Sequence, residues 1–274
     1  MNSPLRSFAG AALATAFAAA FATSLVGCSS APTTGTPRPT DTPPPVRQQE
    51  SSPKDRANLH ADLGAGYYER GQMDIAIEEL NEAATLDPSN PRVYNLFGLV
   101  YAMLGDNPKA EQNFQRALSL APQDSDIRHN WGWFLCSTGR PRESIPEFDQ
   151  ALRNPLYRTP EIALVNAGRC SIAFGDTAGA EAYFKRAQAI SPSSPGANYG
   201  LALLTFRAGR LDDARGWVRR LMQQPSPSPE ALFLGMCIEK KSGDRAAEAS
   251  YVAQLRNRYP DAAETKAVAT AVCE

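Results

Sequence analysis

Histidine is the scarcest of the chemically versatile residues here: His60 and His129 are the only two in 274 residues, and they stand far apart. With so few, the close ligand spacing of protein zinc sites cannot be assembled, and no metal or cofactor is expected. The Ser, Cys and Asp content sets out no nucleophile–base arrangement, and no Gly-rich strand–turn–helix phosphate loop is present. These absences argue against an enzyme and against a small-molecule substrate. His129, without catalytic partners in the sequence, reads as a packing or surface residue. Charge surplus is lacking too: 28 basic residues face 29 acidic ones, a net charge of −1. A near-neutral chain has no footprint for phosphate-backbone attraction, so nucleic acid is not an expected partner.

What the chain has instead is one pattern written again and again. Leu63-Gly64-x-x-Tyr67 returns as Phe97-Gly98-x-x-Tyr101, Trp131-Gly132-x-x-Leu135 and Ala167-Gly168-x-x-Ser171. Each copy carries a second Gly (Gly71, Gly105, Gly139, Gly175), a small residue (Ala76, Ala110, Ser144, Ala180), a bulky one (Leu80, Phe114, Phe148, Phe184) and an Ala (Ala83, Ala117, Ala151, Ala187). Pro88, Pro122 and Pro192 close three of the units. A period of about 34 residues marks an array of helical hairpins. Small residues let the two helices of a hairpin approach, and large ones fill the gaps. The second Gly ends the first helix, and the Pro stops the second.

This pattern resembles the tetratricopeptide repeat. The resemblance implies an all-α, right-handed superhelical solenoid of about six repeats with a C-terminal capping helix, built to bind another protein. Units fall at about 57–90, 91–124, 125–160, 161–194, 195–227 and 228–261, within a repeat domain of 55–274, with a cap at 262–272. The third is stretched by Asn154-Pro155-Leu156-Tyr157-Arg158-Thr159-Pro160. In the fifth, Leu201, Ala202, Gly209, Ala214 and Val218 keep the register, and a Pro-rich turn follows at 225–229.

In such arrays the first helix of each unit lines the concave side. The resemblance thereby points to a groove with Trp133, Ile162, Val165, Arg169, Tyr199, Leu203 and Phe206 at its centre. The alternative for any one of them is burial between repeats. An apolar concave patch carrying one Arg suits an amphipathic helix or an extended peptide.

Ahead of the repeats, residues 1–27 carry a single charge, Arg6, and an Ala- and Phe-rich stretch ending Leu25-Val26-Gly27-Cys28. A short basic region before an apolar core reads as a secretory signal. The last four residues resemble the bacterial lipobox, which implies lipidation at Cys28. A membrane-spanning anchor is the competing reading, disfavoured because the Ala-rich run is weakly apolar. Ser29 after the Cys implies sorting to the outer membrane. Residues 28–54 read as the lipidated Cys and a disordered Pro/Thr/Ser tether, too poor in apolar residues to fold.

Four further cysteines, Cys136, Cys170, Cys237 and Cys273, would then lie in an oxidising compartment. Their positions in adjacent helices favour the pairs 136–170 and 237–273, with buried free thiols as the alternative.

Longer stretches carry a closer likeness. Asn130-Trp131-Gly132-Trp133-Phe134-Leu135-Cys136, Asn154 to Glu161, Asn166-Ala167-Gly168-x-Cys170 and Tyr251-x-x-Gln254 through Pro260-Asp261 resemble the type IV pilus biogenesis and stability lipoproteins, the PilW/PilF-type pilotins. The likeness implies a non-enzymatic outer-membrane scaffold on the periplasmic face. Its expected partners are the outer membrane, through the lipid anchor, and the pilus secretin subunit, whose localisation or multimerisation it would promote. The other function class compatible with the sequence is an adaptor or regulator of a peptidoglycan synthesis enzyme.

Overall fold

The computed structural model describes residues 51–270 and Cys273. The expected leader, Cys28 and the tether up to residue 50 lie outside the described residues.

Thirteen α-helices make up the described chain, and they pair in sequence order. The hairpins are α1 (Pro53–Glu69) with α2 (Met73–Leu86), α3 (Pro91–Met103) with α4 (Asn107–Leu120), and α5 (Ser125–Ser137) with α6 (Pro141–Ala151). They continue as α7 (Pro160–Ala173) with α8 (Thr177–Ile190), α9 (Pro195–Arg207) with α10 (Leu211–Leu221), and α11 (Pro229–Ser242) with α12 (Arg245–Arg258). The last helix, α13, spans only Ala263–Ala267, shorter than the expected cap. At the other end α1 begins at Pro53, two residues ahead of the expected domain start. Ser52 and Asp55 cap it reciprocally, each side chain meeting the other's backbone N–H.

Local chemistry sets the other boundaries. Asn90, Asp124, Ser194 and Ser228 accept backbone N–H groups at the starts of α3, α5, α9 and α11, meeting donors that have no partner inside the helix. Each first helix is followed by a Gly in the left-handed region, such as Gly105 at φ 75°. The fifth and sixth hairpins, with Gly209 and Gly243 there, do the same.

Size complementarity fixes how close the helices of a hairpin come. A Cβ on Gly98 would stand 2.7 Å from the Phe114 ring, so only Gly lets that ring lie flat against the facing backbone. In the fifth hairpin the equivalent position is Ala202, and its partner sixteen residues on is Val218, in the same buried cluster. The lost space at Ala is offset by a smaller side chain opposite, which is why this degraded unit keeps the geometry.

Each hairpin packs on the next. The backbones of the first helices of successive hairpins also approach one another closely, whereas those of the second helices stand farther apart and meet through side chains such as Tyr183 on Asp149. Closer spacing on one side bends the array toward it, so α1, α3, α5, α7, α9 and α11 line the inner face. Among the described residues no helix precedes α1, and Leu59 and Leu63 are 58% and 41% exposed. Their counterparts one repeat on, Val93 and Phe97, are buried.

Second helices come in two lengths. α2, α4, α8 and α12 run 14 residues, while α6 and α10 run 11. The missing turn lengthens the connections that follow, 152–159 and 222–228.

Candidate partner-binding groove

The inner face divides into a polar stretch and an apolar one. In the first four repeats a chain of amides and one imidazole links neighbouring hairpins. Asn90 Nδ2 donates to Asn58 Oδ1 at 2.9 Å, and Asn130 Nδ2 to Asn95 Oδ1 at 3.2 Å. Arg92 pairs with Asp62 at 2.6 Å, with both side chains largely exposed. His129 stands 2.8 Å from the Tyr157 hydroxyl through Nδ1 and 2.9 Å from the Asn166 amide through Nε2. A neutral ring protonated on Nδ1 satisfies both contacts, donating to Tyr157 Oη and accepting from Asn166 Nδ2. Burial holds the His129 pKa down at about 4, because the surroundings disfavour the charged form. His129 is therefore a structural strut between the third and fourth repeats.

Beyond it the lining turns apolar. Ile162, at the start of α7, is 47% exposed. Trp133, Tyr199 and Leu203 are half-buried, and Arg169 is exposed with no ion-pair partner among the described residues. Burial raises the Tyr199 pKa, with Glu230 adding to it and Arg169 and Arg207 opposing.

Two of the expected lining residues are core instead. Val165 is 8% exposed and lies against the first turn of α9, where a Cβ on Gly196 would come to 2.6 Å from Val165 Cγ1. The small residue draws α9 over it. Phe206 is 2% exposed: it joins the cluster containing Leu234 and Cys237, and the Lys241 ammonium lies 5.1 Å from its ring. The groove centre is therefore Trp133, Ile162, Arg169, Tyr199 and Leu203.

Cys136 and Cys170 are joined in a disulfide with Cα atoms 5.9 Å apart, as are Cys237 and Cys273 at 5.4 Å. The first ties α5 to α7 beside the groove, and the second holds the chain end against α11.

The roles of Asn130, Asn166 and Tyr157 were not foreseen from sequence. A signal for the amides existed in Asn95, Asn130 and Asn166, which recur at roughly the repeat period. Among the described residues no group of three or more His, Cys, Asp or Glu side chains is placed to hold a metal ion. What the groove presents is amide hydrogen-bonding capacity, an apolar strip and a guanidinium, which is the equipment for holding a polypeptide.

Such an array of stacked hairpins, with a concave face of this composition, defines a helical-repeat binding scaffold, and the chain belongs to the tetratricopeptide repeat family. That family's models match residues 64–105, 91–124, 135–195 and 171–232. Within it the chain belongs with the type IV pilus biogenesis factors. It is 35% identical to PilW, a widely conserved type IV pilus biogenesis factor of known crystal structure, with a TM-score of 0.72 over 78% of this chain and 98% of that one. The type IV pilus assembly protein PilF of Pseudomonas aeruginosa is 25% identical over 207 residues, covering 76% of this chain and 82% of that protein. The PilF structure superposes with a TM-score of 0.72 at 24% identity, over 80% of this chain and 98% of that one.

Proposed function

We propose that this pilus-related scaffold is a lipid-anchored outer-membrane protein that binds a segment of the pilus secretin and promotes the secretin's localisation or multimerisation. The observation that carries the binding reading is the apolar strip of exposed Ile162 and half-buried Tyr199 and Leu203, together with Arg169, which has no ion-pair partner among the described residues, on the inner face of an array homologous to PilW. Packing within the array accounts for one side of Tyr199 and Leu203 but not for the exposed Ile162 or for the apolar surface that the strip leaves in solvent. A ligand with apolar side chains and a carboxylate supplies one. The anchor rests on the Leu25-to-Cys28 sequence.

The test compares secretin multimers, surface piliation and circular dichroism for the parent, a gene deletion, and the double variant Ile162→Ala with Arg169→Glu. Both positions are exposed, so helicity should be unchanged while multimers and pili are lost. Unchanged multimers in the double variant would remove the groove as the secretin site. Unchanged multimers in the deletion would end the secretin reading and bring the peptidoglycan-synthase adaptor forward. For the anchor, Cys28→Ser should abolish labelling by a fatty-acid analogue.

A further inference from the structure

Two junctions in this array share one backbone departure and fill it differently. After α6 and after α10, each three residues shorter than the other second helices, the chain makes a long connection instead of a tight one. In both, the residue six positions past the helix end turns back toward the first helix of the same hairpin. That residue is Tyr157 in one and Pro227 in the other. Tyr157 meets His129, three residues before the Gly132 site, and Pro227 shares a cavity wall with Tyr199, three residues before the Ala202 site.

In the third repeat the junction is filled. Tyr157 is 7% exposed, its ring stands edge-on to His129 with centroids 6.3 Å apart, and its hydroxyl reaches the imidazole. In the fifth repeat Pro227 is buried as well, but its short ring does not fill the space beside Tyr199. The space remains as a cavity of about 350 Å³ lined by Pro195, Tyr199, Leu221, Pro225, Pro227 and Ala231. Its lining is mostly apolar, and its outer wall is tied in place. Tyr259 Oη donates to the Pro227 carbonyl at 2.8 Å and stands 2.9 Å from Ser226 Oγ, and Arg258 reaches the Pro225 carbonyl at 3.3 Å. A wall pinned to α12 does not collapse into the gap.

We infer that this cavity is a specificity pocket for one aromatic side chain, a phenylalanine or tyrosine, of a polypeptide lying in the groove. The guest occupies the place that Tyr157 takes in the third repeat. The inference deepens the groove-binding reading and rests on it for the polypeptide, but not for the pocket itself. Apolar cavities of this kind take up aromatic guests because the guest loses hydration and gains packing. Tyr199 in the lining offers a ring for aromatic contact.

The test titrates isotope-labelled protein with N-acetyl-tyrosine amide, N-acetyl-phenylalanine amide and N-acetyl-alanine amide, followed by NMR. The aromatic amides should give saturable shifts at Tyr199, Leu221 and Ala231 with Kd on the order of 1 mM, as expected for ligands of that size. The alanine amide should give none. Pro227→Tyr, which supplies the plug internally, and Ala231→Leu, which narrows the cavity, should each abolish the shifts with helicity kept. Absence of saturable shifts with both aromatic amides overturns the pocket. So does equal binding of the alanine amide, or unaltered binding in both folded variants. If the shifts behave as expected while secretin multimers prove independent of the protein, the pocket stands and only the partner changes.

Discussion

The third-repeat junction and the fifth-repeat junction start from the same deviation, a second helix one turn short, and end in opposite states. One is closed by Tyr157 on His129 and stapled across α5 and α7 by Cys136–Cys170. The other is left open beside Tyr199, and the nearby disulfide, Cys237–Cys273, ties the chain end to α11 rather than one repeat to the next. In a solenoid, stability is a sum of local hairpins and nearest-neighbour interfaces. The array concentrates its strongest local devices at one junction and leaves the other open. On the proposed reading of the pocket, stability and recognition are separable by position along the same chain.

The sharpest way to break the contrast is to empty the closed junction. Tyr157→Ala removes a buried ring and leaves both a void and a His129 nitrogen without its partner. The cost should be roughly 3–5 kcal/mol, the range of large aromatic-to-Ala changes in cores. Hydrogen exchange should place the loss in α5 to α7 and leave α1 and α2 protected. Urea unfolding indistinguishable from the parent would mean the junction is not closed by this ring.

Next comes the staple. Cys136 and Cys170 are 34 residues apart, and closing a loop of that length limits the unfolded chain by about 2–4 kcal/mol. The paired change Cys136→Ala with Cys170→Ala should lower stability by that amount. Cys273→Ala should cost less globally, because it frees only the chain end. A larger loss from Cys273→Ala would invert the reading of the two bonds.

Much of this architecture is legible in the sequence, because a hairpin repeat writes its contacts at fixed offsets. Gly98 and Phe114 are sixteen apart, and the same offset links Ala202 to Val218, so even the degraded unit could be placed. What the offsets hide is anything decided by a neighbouring repeat or by the chain end. Val165 is covered because Gly196, in the next repeat, has no Cβ. Phe206 is covered by α11 and Lys241. Both occupy positions that line the groove in a generic repeat, and no rule internal to one repeat moves them inward. Tyr157 was visible as part of a two-residue insertion, but only folding shows that the insertion returns to His129.

Acid should distinguish the junctions again. The folded-state pKa of His129 is lowered to about 4, below the ordinary value near 6.5. A lowered pKa means the unfolded chain binds the proton more tightly. The neutral ring's contribution is therefore complete above about pH 6.5 and is lost as pH falls toward 4. By pH 5 the loss should be about 2 kcal/mol. His129→Gln should lower stability at pH 7.5 yet flatten its fall between pH 6.5 and 5. An unchanged slope in thermal midpoints across that window would show that the imidazole is not the titrating group.

The smallest effect should come from the open side. Tyr199 occupies the position of His129, but its ring is half-buried and borders the cavity, and no hydrogen bond to its hydroxyl fixes it among the described residues. Tyr199→Ala forfeits only partial apolar burial, because the space beside it already lacks packing partners. The expected loss is about 1 kcal/mol, a shift of roughly 2–4 °C in thermal midpoint for a chain of this size. Unlike Tyr157→Ala it should leave hydrogen exchange in α5 to α7 unchanged. If Tyr199→Ala costs as much as Tyr157→Ala, the fifth-repeat junction is closed in solution like the third, and the contrast between a junction built to hold and one built to receive disappears.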